Sequence, residues 1–520
     1  MIWRIAKKEF LLNVMTFKFA VATVACVVLT AVFTPILAKD YEQRLRTYRD
    51  NVARNEAELQ RVKVYMNIVP TIYRPPSVLS VFSEGLEKRI SDSVTIEVDQ
   101  VPELRAAATH GNPYQSIFPV FDISLVSRIV ISVLALLVAY DAISGERERG
   151  TLKLMLSNTT RRHQVLLAKL LAGLLVLVIP ITMVFIVVLI LLLSFPMVDL
   201  ARPEWARIGL MYFASLIFVS AMYNVGLLLS CLTRKSAIAL VLGLFLWILF
   251  AAVVPNGSVY LAAQMRPLEP REEIDGRMMS LKHEYDAELN KSKPPQSDGG
   301  SQSGARDAFG RGYDRLLDKT AMEYRQKSYR VEYPLKIRYA DKYSEVERRY
   351  LDSLWEQKNL ADSISRISPI PLYGSVMSTL AGTDLAAFRH FMKRVRTHRA
   401  EIVEYIRSET EDFSSPLLFT RCTQEEMAEY EEMLKKFIML MKQAKSQAEI
   451  AALAETIKEW VEKRMTETPS LDLQDCPRFA SMTGDLGELR QTIPAFSLLL
   501  FINLTFFALS FAAFMTYDVR

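Results

Sequence analysis

The residue types that catalyse reactions are present in this chain, but they are not grouped as catalysis requires. The five histidines are scattered, so a clustered metal site is not expected. His283-Glu284 lacks the second histidine of an H-E-x-x-H motif, and residues 300–304 misplace the serine of a G-x-S-x-G elbow. No G-x-x-x-x-G-K-[ST] loop occurs, so the chain does not bind ATP in that manner. The sequence therefore predicts a non-enzyme with no cofactor or metal of its own.

One segment, residues 140–158, has a spacing that fits a mechanical role. Gly145 and Gly150 bracket a four-residue charged turn, and apolar residues follow it at Leu152, Leu154, Met155 and Leu156. A short helix of this kind, with charges at its start, could dock into a groove on a soluble partner. The alternative is a charged loop that does no more than orient the neighbouring spans in the membrane.

The elements that position this segment are membrane helices. Half of the 520 residues are apolar while 23% are charged, so the two kinds must be segregated along the chain. Windows of about 20 residues nearly free of charge are long enough to cross a bilayer. Six such windows occur, which predicts an all-α polytopic membrane protein with spans at residues 18–38, 123–142, 166–194, 207–231, 237–262 and 494–515.

The short loops predict the orientation, because basic residues near a span resist translocation. Basic residues cluster before the first span, between the second and third spans, and between the fourth and fifth spans, as in Arg4, Arg147 and Arg234. The loop at 143–165 and both termini are therefore predicted to be cytoplasmic, and segments 39–122, 195–206 and 263–493 extracytoplasmic. The alternative of a cleaved signal peptide is disfavoured, because the first apolar run is too long.

Residues 1–17 alternate basic and apolar faces at helical spacing, which predicts an amphipathic helix in the membrane interface, with Trp3 and Phe10 on its apolar side. A basic overhang of the first span is the alternative. Beyond that span, apolar residues recur in alternating steps of four and three, which is a heptad seam. The seam predicts that the helix continues outward and packs against another helix, through Tyr41, Leu45, Tyr48, Val52, Asn55, Leu59, Val62 and Met66.

The two large outer segments differ in predicted structure. Alternating Val94, Ile96 and Val98 predict a strand, which makes 39–122 a small α+β unit. Segment 263–493 is predicted to be mostly helical, at 271–290, 307–365, 384–408 and 423–466, with a flexible loop at 291–305. Cys422 and Cys476 both fall in this segment, where an oxidising compartment would allow a disulfide. Two unpaired thiols are the alternative.

The run DAISGERERGTLKLMLSNTTRRHQVLLAKLLAG resembles the signature of type-2 ABC exporter permeases, in which the residues after an S-G-E-[RK]-E-[RK]-G-T-L motif form the coupling helix that contacts the ATPase subunit. Two further stretches are similar to a subgroup with large outer segments. These are Arg74-Pro75-Pro76 with Leu79, Phe82 and Gly85, and Ile367-Ser368-Pro369 with Ala381-Gly382-Thr383-Asp384. Residues 271–365 and 410–490 resemble no family that we can name.

The resemblance implies that the motif transmits nucleotide-driven movement, with residues 1–17 beside it as the connecting helix. The implied coupling residues are Gly145, Glu146, Arg147, Glu148, Arg149, Gly150, Thr151, Leu152, Leu154 and Met155. It also implies two ABC ATPase subunits, which bind ATP and Mg, and a second permease copy or a related permease, in a bacterial inner membrane. The net charge of +5 is small and its basic residues are mixed with acids, so nucleic-acid binding is not expected.

Three functions remain open on these grounds. The first is export, in which movement of the spans opens a path; the near absence of ionisable residues in the spans favours an apolar or amphipathic cargo. The second is lever action, in which the spans rearrange the outer domain to act on an envelope protein without a transmembrane cargo. The third is a membrane receptor without an ATPase, which leaves the coupling-like motif unexplained.

Overall fold

The computed structural model describes residues 2–102, 122–152, 155, 161–292, 319–421, isolated positions from 423 to 463, 469–480 and 492–516. Within this part of the chain, six helices are long and apolar enough to cross a membrane. We number them as the first to sixth spans: Phe17–Leu59, Ile123–Glu148, Arg162–Leu193, Arg202–Leu232, Ser236–Met265 and Ile493–Met515. A helix satisfies all backbone polar groups within one segment, as hydrocarbon requires. The predicted all-α, six-span architecture is confirmed.

Different structural elements lie at the two ends of the span bundle. At the end that we call the motif side lie the short helix Ser144–Glu148 and the turn that joins the fourth and fifth spans. At the opposite end, the domain side, the first and fifth spans lead into the two large segments, which together supply residues 60–102 and 266–480 of the described chain.

The fourth span lies at the centre of the bundle, with 67% of its apolar window buried. It packs against the sixth span, against Ser132–Ala139 of the second span and against the helix Pro369–Ala381. The fifth and sixth spans are each only 17% buried. Their exposed apolar faces, which include Phe245 and Phe501, need lipid or another protein to cover them in a membrane.

Two spans contain a π-turn, in which the hydrogen bonds connect residues five apart. These turns are Ser127–Ile131 in the second span and Leu249–Val253 in the fifth. Pro255 lies in the first turn of the helix that follows the second of them, whereas Pro180 lies inside the continuous helix of the third span. Of these two prolines, Pro255 therefore coincides with a break in regular helix.

The first span is 43 residues long, about 65 Å at 1.5 Å per residue, and so extends well beyond a bilayer. Thr16 caps its start by accepting a hydrogen bond from the backbone of Phe19. The helix ends at Leu59, before the last two positions of the predicted seam. On the domain side it packs against a strand and the 3₁₀ turn Val78–Val81, so the seam does not meet a continuous partner helix.

The first large segment holds a two-stranded antiparallel sheet, β1 (Thr71–Tyr73) and β2 (Ser93–Thr95). Ile72 pairs with Val94, while Ile96, just past β2, is buried with Phe391 of the second segment. The predicted strand therefore forms, but its regular pairing ends at Thr95. The rest of the described segment consists of loops and the 3₁₀ turns Tyr65–Asn67 and Val78–Val81.

The second large segment is helical where it is described, with helices Arg271–Ser292, Lys319–Ser365, Pro369–Ala381 and Leu385–Glu409. The first two lie side by side around Leu289, Leu335 and Tyr339. The third, an apolar helix that the sequence did not single out, packs against the fourth and sixth spans. Most of the predicted loop at 291–305 and of the predicted helix at 423–466 lies outside the described residues.

The third and fourth spans approach each other closely at Gly173, where an added Cβ would overlap the ring of buried Tyr223. We expect Gly173→Ala to lower the free energy of unfolding by about 1–3 kcal/mol, because overpacking a closed contact forces neighbours to shift. Thermal unfolding of the purified protein in detergent measures this.

Gly209→Ala on the fourth span is the matched control, since nothing lies within 4 Å of its added Cβ. An unchanged unfolding temperature for Gly173→Ala would show that the two spans are further apart than described.

Candidate functional site

The short helix Ser144–Glu148 is the charged turn of the motif, and its start is tied to the fourth span. Ser230 Oγ accepts hydrogen bonds from the backbone N–H groups of Ile143 and Ser144, at 2.9 and 3.0 Å. The helix ends at Arg149, and Gly150 follows in the left-handed region at φ +73°. A glycine takes this conformation without strain, which explains why it closes so short a helix.

Glu146 points into the protein and takes part in a buried ion triad. Its Oε1 lies 2.7 Å from Lys169 Nζ, and Glu9 Oε1 lies 3.0 Å from the same nitrogen. Only 2% of the Lys169 side chain is exposed. One ammonium group between two carboxylates therefore joins the N-terminal helix (Ile2–Val14), the motif helix and the third span.

The backbone around Lys169 is fixed by a second contact. Tyr223 of the fourth span donates a hydrogen bond from its hydroxyl to the Lys169 carbonyl, at 2.9 Å, and its ring lies against Gly173 one turn further on. Because Tyr223 is fully buried, this hydrogen bond is shielded from water. The lysine is thereby held in one position for the two carboxylates.

Arg147 and Glu148 bind the two ends of the turn between the fourth and fifth spans. The Arg147 guanidinium donates to the carbonyls of Thr233 and Cys231, at 2.7 and 3.2 Å, where the fourth span ends. The Glu148 carboxylate accepts from the backbone N–H and hydroxyl of Ser236, at 3.1 and 2.7 Å, where the fifth span begins. Each charge has the sign that the adjacent helix terminus favours.

The remaining described residues of the motif are either exposed to solvent or packed against the core. Arg149, Gly150 and Thr151 are exposed, whereas Leu152 is buried and Met155 is half-buried. Leu154 lies outside the described residues. The motif thus has three charges that bind the protein itself, the buried Glu146, the half-buried Arg147 and the exposed Glu148, which we call the inner charges, and an exposed tip at 149–151.

The N-terminal helix lies along the third span, with Ala6 packed against Ala168 and Ala172. Small residues at this contact let the two helices approach closely. Phe10 packs against the core, while Trp3 is 64% exposed and free to lie among lipids. This placement brings Glu9 to Lys169.

On the domain side, the two other stretches that carry the resemblance contact each other. Arg74 donates to the Gly382 carbonyl at 2.6 Å, and Ser77 donates to the Ala381 carbonyl at 2.7 Å. Gly85, at φ +53°, lies so close to Thr383 that a Cβ would overlap it. We call this set of contacts, between residues 74–86 and 381–383, the latch.

A charge cluster supports the latch. Glu87, 9% exposed, accepts from the Ser77 backbone at 2.8 Å and from Arg44 of the first span at 3.2 Å. Burial raises the pKa of the neighbouring Glu84 carboxyl, and Lys88 at 3.1 Å partly offsets this. The latch is therefore joined to the extended part of the first span by charged hydrogen bonds.

The helix Pro369–Ala381, which ends at the latch, connects the latch to the bundle. We call it the latch helix. Ser368 caps this helix by accepting from the Ile370 backbone at 3.3 Å, and Gly382 ends it in the left-handed region at φ +67°. Tyr373 is fully buried, stacks on Phe218 and shares a 2.8 Å hydrogen bond with Ser215, both on the fourth span. The fourth span thus contacts the motif helix at one end and the latch helix near its middle.

A family model described as ABC-2 family transporter protein matches residues 3–415. The chain belongs to the ABC-2 transporter family. It is accordingly a membrane subunit of an ABC transporter, which works with an ABC ATPase and is not itself the ATPase. The match includes the motif, the latch and the first five spans of this ABC-2 permease. No curated protein matches the chain.

Sequence reasoning identified the motif of the ABC-2 permease but missed the residues that it binds. Glu9, Lys169, Ser230 and Ser236 each lie outside the singled-out segment. The sequence did contain one signal. Lys169 is the fourth residue of the predicted span at 166–194, and a lysine inside an apolar span needs a partner of opposite charge. The possible disulfide stays a prediction, since Cys422 lies outside the described residues; Cys476 is half-buried, which raises the pKa of its thiol.

We expect Lys169→Met to destabilise the permease by about 3–5 kcal/mol, because the buried Glu146 carboxylate and the partly buried Glu9 carboxylate would remain without a counter-charge. Adding Glu9→Gln and Glu146→Gln to Lys169→Met should restore most of that loss, since the neutral triad leaves no buried charge. Unfolding temperatures of the three-fold and single variants in the same detergent measure both effects. Equal unfolding temperatures for the two variants would contradict the ion triad.

Proposed function

We propose that this chain is the permease of an ATP-driven exporter, in which a separate ABC ATPase pushes on the exposed tip of the motif. The inner charges of the motif support this role most directly. Glu146, Arg147 and Glu148 bind the third span, the end of the fourth and the start of the fifth. A displacement of the motif helix therefore acts on three spans at once.

Residues 149–155 and the exposed end of the N-terminal helix form the surface that we assign to the ATPase. Arg149, Gly150 and Thr151 are solvent-exposed, and nearby Leu152 and Met155 anchor them to the core. Gly145, Glu146, Arg147 and Glu148 are assigned the transmission of force rather than contact with the partner. Leu154 keeps its proposed place on the ATPase surface.

The proposed complex has two ATPase subunits, which bind ATP and Mg, and two permeases, identical or related. The exposed apolar faces of the fifth and sixth spans offer area for the second permease as well as for lipid. In this arrangement the motif side and both termini are cytoplasmic, the domain side is extracytoplasmic, and the membrane is the bacterial inner membrane. The basic residues of the motif-side loops support this orientation.

Lever action is the second candidate, and the length of the helices favours it. The first span continues about 30 Å past the hydrocarbon thickness, and its Arg44 reaches the charge cluster of the latch. Lys319–Ser365 is 47 residues long and packs against Val254–Met265 of the fifth span. Tilting of these helices would move the outer domain, and an envelope protein would receive that movement. A structure of two permeases together that shows a continuous cavity between their second and fifth spans would favour export instead.

The ATPase contact is tested by Arg149→Ala, which removes an exposed charge without touching the ion triad. We expect about a tenfold loss of permease-stimulated ATP hydrolysis, or ~1.4 kcal/mol, because arginine is prominent among residues that dominate protein interfaces. The assay is ATP hydrolysis by the ATPase with purified permease in nanodiscs. Arg54→Ala, an exposed arginine on the domain side, is the control and should leave hydrolysis unchanged. Full stimulation by Arg149→Ala would overturn the assignment.

The orientation is tested separately by cysteine labelling. Arg149→Cys and Arg54→Cys are each placed in a chain whose four native cysteines are replaced by serine. A membrane-impermeant maleimide should label position 54 in intact spheroplasts and position 149 only in inverted vesicles, because the reagent cannot cross the bilayer. Labelling of position 149 from outside would refute the cytoplasmic placement of the motif.

A further inference from the structure

A cavity of about 660 Å³ lies on the domain side, between the extended part of the first span and the outer segments. Its other walls come from residues 68–79, the helix Leu385–Glu409, residues 473–479 and the start of the fourth span. The volume is within the range of pockets that hold small molecules, about 300–1,000 Å³. None of the motif residues takes part in it.

The heptad seam of the first span forms one wall of this cavity. Six seam residues line it in alternating steps of four and three: Tyr41, Leu45, Tyr48, Val52, Asn55 and Leu59. At 1.5 Å per residue they extend for about 27 Å along the helix. A seam of this kind normally receives side chains from a partner helix. Among the described residues, Asn55 instead accepts a hydrogen bond from the Thr71 backbone of β1 at 2.9 Å, and the other seam residues border the cavity. The cavity is therefore long, and one of its sides is largely apolar.

The opposite wall is also apolar in its deep part. Ile68 and Ile72 come from the region of β1, and Phe391 and Ile402 from the helix Leu385–Glu409; all four are at most 8% exposed. An elongated space between two apolar walls suits a hydrocarbon chain, because burial of the chain removes apolar surface from water on both sides.

Charged residues give this apolar space an excess of one positive charge. Four arginines line the cavity, against the three carboxylates of Glu56, Asp199 and the half-buried Glu204. Arg207, only 9% exposed, lies at the start of the fourth span, and Arg49 lies exposed on the first span. Two of the carboxylates, Glu56 and Asp199, are exposed, so water screens them more than it screens Arg207. A guanidinium group suits phosphate and carboxylate groups, which it can bind through two hydrogen bonds.

The end of the cavity at Arg207 is close to the membrane. Arg207 lies in the second turn of the fourth span, and the neighbouring Trp205 is 44% exposed. Exposed tryptophan at the end of a span is typical of the boundary between lipid and water. A lipid-like molecule could thus enter from the bilayer surface without crossing the outer domain.

We propose that this cavity binds an anionic amphiphile, with its hydrocarbon chain along the seam and its acidic head beside Arg207 and Arg49. The bound molecule would also touch the latch, because Arg74, Ser77 and Gly382 are part of the cavity wall. Binding does not depend on the ATPase, so it can be measured on the permease alone and judged apart from the proposed coupling role.

The test uses the full-length permease in nanodiscs of phosphatidylcholine, with hexadecyl phosphate as the probe and empty nanodiscs as the blank. Calorimetric titration should show saturable binding of one probe molecule per chain. Hexadecyltrimethylammonium and inorganic phosphate should each bind at least about tenfold more weakly, since one lacks the negative head and the other the chain. Absence of saturable binding, or equal binding of either comparison probe, would overturn the proposal.

Two variants locate the site. Val52→Trp fills the cavity and should weaken binding about tenfold or more, whereas Val32→Trp, on the exposed face of the same helix within the bilayer, should not. Arg49→Glu should weaken binding of the phosphate probe, while Arg54→Glu, exposed but outside the cavity, should not. If Val52→Trp does not fold, Asn55→Trp replaces it. Unchanged binding by a folded cavity-filling variant would show that the probe binds elsewhere and would refute this site.

Discussion

Lys169 brings a positive charge into an otherwise apolar span, and the carboxylates that neutralise it come from two separate segments. Glu9 reaches it from the N-terminal helix and Glu146 from the motif helix. Lys169 and Glu146 are each unfavourable in this environment alone, because each would be a buried and unpaired charge, and Glu9 is partly buried beside them. The triad therefore forms only when the N-terminal helix, the motif helix and the third span are all in place. This requirement makes the three elements one unit on the motif side.

The fourth span connects the same unit to the latch helix. Ser230 anchors the motif helix, and Ser215, fifteen residues earlier on the same helix, bonds Tyr373 of the latch helix. Fifteen residues of helix extend for about 22 Å, so a single rigid element contacts both sites. The fourth span therefore provides a short physical connection between the motif helix and the latch helix.

The sequence predicts those features that depend on local pattern. Hydropathy is a property of about 20 consecutive residues, so the spans and their order follow directly from it. The motif was identified for the same reason, since its glycines, charges and leucines are contiguous. Whether each charge of the motif faces the protein or the solvent was not predictable, because this depends on the contact between the N-terminal helix and the third span. Glu9 and Lys169 are 160 residues apart, and no local signal joins them.

Two other features show where local pattern is insufficient. The latch helix Pro369–Ala381 is apolar but only 13 residues long, too short for a span and indistinguishable by sequence from an ordinary buried helix. The heptad seam was identified as an apolar stripe, yet periodicity shows only that one face avoids water. It does not specify whether a helix, a strand or a ligand covers that face. In this chain the stripe meets β1 and a cavity, which a stripe alone cannot distinguish from a helical partner.

The division of the motif into inner charges and an exposed tip has a physical consequence for how force can enter the protein. An ATPase that bound Glu146 directly would have to break a contact with Lys169 that is shielded from water, and so would leave a buried charge without its partner. A partner that touches only the exposed tip meets no such cost. It moves the short helix as a unit, and the hydrogen bonds of Arg147 and Glu148 pass that movement to the fourth and fifth spans. The buried charges thus set the orientation of the motif, while the tip remains available for binding.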